Sequence, residues 1–253
     1  STTFGYGVKD NETIPSQLSK LLIDRFPSKN INVYNFGRGN YYSTKERILF
    51  ESLIARQQCP DIAIFIDGMN DFGIIDNKPN YTFIKSIAPK KTLSQEMPIY
   101  KFIKHLKKKF KKTPEETSKE TISKKINLLN IDNTINNYIA NKMIIESTAK
   151  TFNISPIFII QPVPTYNYDL SKHLFWDESL SQSFLYHKLG YEKLKLFLNN
   201  ISAENILWEA ENQNELGSNV YLDGVHYTLK MNQKIASNIL NYIINRKLIP
   251  HHK

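Results

Sequence analysis

The sequence predicts an α/β fold built on a parallel sheet covered by helices on both faces. Two observations predict it. Short apolar runs bounded by turn residues alternate with longer stretches of helical periodicity, the pattern of successive βα units. The two clearest runs are continuously apolar rather than alternating, as strands buried on both faces are. The length, 253 residues, suits one domain, or one domain with a sizeable insertion.

The elements follow in order. Residues 13–26 carry Leu18, Leu21, Leu22 and Phe26 at helical spacing. Ile31 to Phe36 reads as a short strand ending at glycine. Ser43 to Gln58 reads as a helix, with Ser43 or Thr44 as its N-cap. Asp61 to Asp67 is a buried strand. Ile131 to Phe152 is a long helix, and Pro156 to Gln161 is a second buried strand, stopped by Pro162 and Pro164. Ser181 to Leu198 is helical, Asn205 to Trp208 a weak strand, and Leu229 to Asn245 a terminal helix with Ile235, Ala236, Ile239, Leu240 and Ile243 on one side. The chain opens on Ser1-Thr2-Thr3-Phe4-Gly5, a turn-like start with no strand before it. One more strand is expected upstream, and with it an N-terminal truncation. That leaves a signal peptide or anchor open, and a cell-envelope location with it; otherwise the location is cytoplasmic.

Residues 74–128 break the alternation and read as a basic insertion or cap. Residues 85–126 hold 13 lysines against 4 glutamates, so this segment carries the whole net charge of +9. The remaining chain balances, which disfavours a nucleic-acid binder with a basic face spread over its fold. Ile99, Phe102, Ile103, Leu106 and Phe110 share a helical face ringed by Lys101, Lys104, Lys107, Lys108, Lys109, Lys111 and Lys112. Such a helix can meet an anionic surface or polymer, or pack on the domain with its lysines solvated. The single cysteine, Cys59, permits no intrachain disulfide and reads as a small packing residue. No run approaches the roughly 18 apolar residues of a membrane span.

Glycine is scarce, nine in all, and seven fall in four segments: Gly5 and Gly7, Gly37 and Gly39, Gly68 and Gly73, and Gly224. In open parallel sheets, ligands bind at the carboxyl ends of strands. Asn35-Phe36-Gly37-Arg38-Gly39-Asn40 and Gly68-Met69-Asn70-Asp71 both follow predicted strands, and Asp223-Gly224-Val225-His226 precedes the last helix. With Ser1, these supply a hydroxyl, amide donors, an imidazole and a carboxylate, an inventory that suits acyl transfer. His226 is the candidate base for Ser1. Asp223, three residues earlier, can hold the other ring nitrogen and fix the tautomer. Asn70, a backbone N–H near Gly39 and the Ser1 N–H are candidate oxyanion donors.

Together the four segments resemble the four signature blocks of the SGNH hydrolases, the GDSL esterase/lipase superfamily. Ser1 to Gly5 is similar to a variant nucleophile block, Asn35 to Gly39 to the block whose glycine donates a backbone amide, Gly68 to Asp71 to GxND, and Asp223 to His226 to DxxH. The resemblance implies a three-layer, flavodoxin-like α/β/α sandwich and ester hydrolysis without metal or organic cofactor. It implies a Ser1–His226–Asp223 triad and an oxyanion hole of Ser1, Gly39 and Asn70. The usual spacing would place the second-block donor at Asn40, so Asn40 and Gly37 stay open beside Gly39. The implied substrate is an acetyl or short acyl ester, of a carbohydrate or cell-envelope polymer. An O-acyltransferase and a non-catalytic carbohydrate-binding module are the alternatives. Asp67 reads as a residue beneath the site; Tyr166, Tyr168, Phe175 and Trp176 as an aromatic loop packed on itself; His173 and His187 as surface or loop histidines; and His251 and His252 as a frayed tail.

Overall fold

The computed structural model describes residues 1–73, 116–201 and 205–249. Among them three strands form one parallel sheet in the order β1 (Ile62–Asp67), β2 (Ser155–Ile160), β3 (Ile206–Trp208). Ile62 pairs with Ser155, Asp67 with Ile160, and Phe158 with Ile206. The helices are α1 (Ile14–Arg25), α2 (Ser43–Ala55), α3 (Met69–Gly73), α4 (Glu116–Thr151), α5 (Glu178–Ser183), α6 (Leu185–Asn200) and α7 (Leu229–Asn245).

β2 is the buried centre: Ile157, Ile159 and Ile160 are wholly buried and Phe158 nearly so. Its side chains alternate between clusters, as a strand's period of two requires. Ile157 and Ile159 join α1 and α7 through Leu18, Leu22, Ile235 and Ile239. Phe158 joins Phe50 and Ile54 of α2 and Ala149 of α4. Ile160 joins Ile135 and Tyr138 of α4 and Tyr191 and Leu194 of α6. Each such large apolar side chain contributes about 1.5–3 kcal/mol through burial. Thr13 caps α1 by accepting the Ser16 N–H at 3.3 Å, and Pro15 occupies the first turn, where its missing N–H leaves no bond unmade.

Several expectations change. Residues 31–36 form no strand and pair with none among the described residues. Ile31 and Val33 turn inward against the α1–α7 cluster, which gives the alternation of a strand without its ladder. Ser43 is the first helical residue rather than the cap, and Tyr42 precedes it. α4 starts at Glu116, not Ile131, through a run rich in Lys, Glu, Ser and Thr that apolar periodicity does not mark. The predicted 181–198 helix is two, α5 and α6, separated at Phe184. Cys59 is exposed rather than packed.

The chain divides into two compact units, Ser1–Ile75 with Ile131–Lys253, and Asp76–Asn130. The predicted basic insertion at 74–128 lies outside the described residues up to 115, as do the lysine-ringed helix from Ile99 to Phe110, His251 and His252. No described helix is long and apolar enough to cross a membrane.

Candidate active site

Ser1 lies in a tight turn whose shape is set by its own backbone. Its carbonyl accepts the Gly5 N–H at 3.1 Å and the Tyr6 N–H at 3.3 Å. The buried Thr2 hydroxyl donates to Gln161 Oε1 at 2.7 Å, anchoring the turn to the chain just past β2. The Ser1 nitrogen, the third expected oxyanion donor, gives a hydrogen bond to the Arg38 carbonyl at 3.0 Å. Asn35 adds a second tie, its Nδ2 donating to the Thr3 carbonyl at 3.0 Å. Its Oδ1 accepts the Gly37 N–H at 2.9 Å. That bond commits the Gly37 hydrogen, so the backbone donors left for an oxyanion in this loop are Gly39 and Asn40. Gly37 instead permits close approach: a Cβ there would lie 2.5 Å from the Phe4 nitrogen.

Asn70 follows β1 directly, on the first turn of α3. Gly68 makes the reversal at φ +110°, and a Cβ on it would fall 2.5 Å from the Tyr191 hydroxyl oxygen. Only glycine fits both constraints. Gly68→Ala is therefore expected to cost roughly 2 kcal/mol or more, read as a lower urea midpoint at unchanged m-value. An unchanged midpoint would mean that the turn relaxes freely. Asn70 Nδ2 donates one hydrogen to the Tyr41 carbonyl at 2.6 Å. That bond orients the amide and leaves its second hydrogen available. Asp71 ties the same two segments from below, accepting the Ser43 hydroxyl at 2.6 Å and the Ser43 N–H at 3.2 Å.

The Asp223–His226 turn sits in a loop closed by Tyr221 and Tyr227, which form an antiparallel bridge, and by the Leu222 N–H donating to the His226 carbonyl at 2.7 Å. Asp223 Oδ1 accepts the Val225 and His226 N–H groups, each at 2.8 Å. Its Oδ2 lies 2.6 Å from His226 Nδ1. Burial opposes the Asp223 charge, but these donors outweigh it and hold the carboxyl below its ordinary range. An ionised Asp223 can only accept, so Nδ1 carries the hydrogen and Nε2 keeps its lone pair. The ring of Tyr6, 60% exposed, lies 4.7 Å from the His226 ring.

Ser1, Gly39, Asn40, Asn70 and His226 line one cavity of about 370 Å³. Asp223 stands behind the imidazole. Among the described residues Ser1 Oγ makes no direct hydrogen bond to His226; such bonds commonly tighten only around substrate. Met69, Phe184 and Val225 supply the apolar part of the wall. No protein-family model matches the chain, and no curated protein matches it. The resemblance to SGNH hydrolases rests on the four sequence segments alone. Among the described residues no group of three His, Cys, Asp or Glu side chains could hold a metal ion.

Other placements differ from expectation. His173 and His187 are buried, not surface residues. His187 also lines the cavity and its Nε2 donates to the Met69 carbonyl at 2.8 Å, steadying the residue before Asn70. Burial pushes its pKa down to about 4, so the ring stays neutral. His173 stacks on Tyr221 at 4.7 Å, and its Nδ1 accepts the Phe175 N–H at 3.2 Å. Tyr166 packs on Tyr191 and Trp208, Tyr168 on Tyr221, and Trp176 on His173; Phe175 is exposed. None of these four aromatics lines the cavity. Sequence reasoning missed Tyr6, Tyr41 and His187. Tyr6 alone carried a signal, its place five residues after the candidate serine.

Proposed function

We propose that the chain is a serine ester hydrolase of the SGNH type, built as a three-layer α/β/α sandwich. The observation that carries this reading is the shared cavity wall of Ser1, Asn70 and His226, with Nδ1 of that histidine held against Asp223. In the proposed reaction His226 Nε2 takes the Ser1 hydroxyl proton as Oγ attacks the ester carbonyl carbon. The carbonyl oxygen becomes an oxyanion facing Asn70 Nδ2 and the backbone N–H of Gly39 or Asn40. Collapse breaks the bond to the alcohol, which leaves with the proton from His226. Water, deprotonated by the same nitrogen, then releases the acid from Ser1. The small cavity and its short apolar wall support an acetyl or short acyl group. We extend the reading to an ester on a carbohydrate or cell-envelope polymer, with the lysine-rich segment meeting an anionic surface.

The test is turnover of p-nitrophenyl acetate with and without a sugar acceptor. Hydrolysis that no acceptor diverts supports the reading; acyl transfer to the sugar would make the protein a transferase, and no turnover a binding module. Within an active enzyme, Asn70→Ala is expected to lower kcat by roughly 10²–10³ with a smaller change in KM, as loss of one oxyanion donor does. A loss confined to KM would place Asn70 on the bound substrate instead.

A further inference from the structure

Beneath the Asn70 turn lie three carboxyls from three elements: Glu46 of α2, Asp67 at the end of β1 and Asp71 of α3. Asp67 and Asp71 are buried. Asp71 is matched by donors, the Ser43 hydroxyl and N–H already described and the Gly68 N–H at 3.4 Å. Asp67 has a different arrangement: it is 3% exposed, its Oδ1 is buried without a hydrogen-bond partner, and the charged groups acting on it are two further acids, Glu46 and Asp71. A buried carboxyl among other acids, with no donor on that oxygen, is costly to ionise and is relieved by keeping a proton.

The groups facing Asp67 and Glu46 are the Asp71 carboxylate, the Ser1 nitrogen beside Glu46, and the buried phenols of Tyr138 and Tyr191. No lysine or arginine among the described residues offsets the pair. Burial first, then the Asp71 charge, pushes the Glu46 carboxyl up to about 8. Burial, then Glu46 and Asp71, raises Asp67 well above the carboxylate range.

We infer that Asp67 and Glu46 hold a shared proton beneath the Asn70 turn, and that this proton keeps added negative charge away from the place where an oxyanion would form. The inference rests on the ester-hydrolase reading for its catalytic part. A carboxylate released there would oppose the charge that Asn70 is placed to receive, and inside a protein such repulsion is weakly screened. Turnover should therefore have an upper pH limit set by this pair and not by the triad. The same proton appears in stability. Between the ordinary carboxylate range and about 8, the folded chain binds protons that the unfolded chain has released. Stability is thus highest at the low end of that window and falls as pH rises through it.

The experiment compares the wild type with Glu46→Gln and Asp67→Asn, each keeping its shape but not its charge. The first readout is the ratio of kcat for p-nitrophenyl acetate at about pH 9.5 to that at about pH 7, which normalises each protein to itself. The wild-type ratio is expected to be about 10-fold lower than that of either variant that folds. The second readout is the thermal midpoint over the same range, which needs no turnover. It should fall with pH in the wild type and stay flatter in Glu46→Gln. An alkaline loss that persists unchanged in both variants, or a wild type without one, overturns the catalytic part. Equal midpoint profiles overturn the shared proton. A midpoint difference with no ester turnover in any protein keeps the proton and overturns the esterase reading.

Discussion

Ser1→Ala is expected to reduce ester turnover by roughly 10⁴–10⁶ in kcat while leaving the fold in place. The substitution removes one oxygen, and with it the only nucleophile facing both His226 and Asn70 in the proposed reaction. The turn itself does not depend on that oxygen. Gly5 and Tyr6 donate to the Ser1 carbonyl, the Ser1 nitrogen donates to Arg38, and Thr2 supplies the side-chain anchor to Gln161. The variant should therefore match the wild type in thermal midpoint and circular dichroism. Some rate above that in water should survive, because the oxyanion donors still bind the carbonyl. Wild-type turnover in this variant would remove Ser1 from the mechanism.

Asp223→Asn is expected to cost about 10⁴ in kcat with little change in KM. Asparagine can still accept the Val225 and His226 N–H groups through its carbonyl oxygen, so the turn should persist. Its NH₂ then faces His226 Nδ1 and donates to it. The imidazole hydrogen moves to Nε2, and the nitrogen facing the cavity loses the lone pair needed to receive the serine proton. Asp223 lies below the ordinary carboxylate range in the wild type, so it is ionised and can only accept across the neutral range. A loss of only a few-fold would mean that Asp223 shapes the turn without setting the tautomer.

Much of the fold was legible because it is written locally. β1, β2 and α7 are marked by apolar runs or faces and by turn residues at their ends. The stretch from Ile31 to Phe36 misled for a physical reason. Alternating burial can arise by packing against helices, whereas a strand also needs a hydrogen-bonded neighbour that sequence does not name. The candidate site was legible for a related reason. Its groups sit in short turns where Gly, Asn and Asp are needed for backbone geometry, so spacing exposes them. Asp71, His173 and His187 were not legible as buried residues. Each is buried by elements distant in sequence, and nothing beside it in the chain announces this. Ser43 belongs with them: as a local signal it read as a helix cap, yet its hydroxyl is taken by Asp71 from the far side of β1.

The loop from Asn35 to Ser43 grips the Ser1 turn through Asn35 and Arg38, and the Asn70 turn through Tyr41 and Ser43. The partners are separated by 28 to 37 residues, and His226 arrives from the other end of the chain. Such non-local contacts carry the entropy of closing long loops before they are rewarded, whereas a helix is built from local ones. A chain leaving denaturant would therefore regain helical signal before it regains the mutual placement of Ser1, Asn70 and His226. Under the proposed function, a partly folded molecule would carry Ser1 without its partners, and ester hydrolysis would begin only once these distant segments have met.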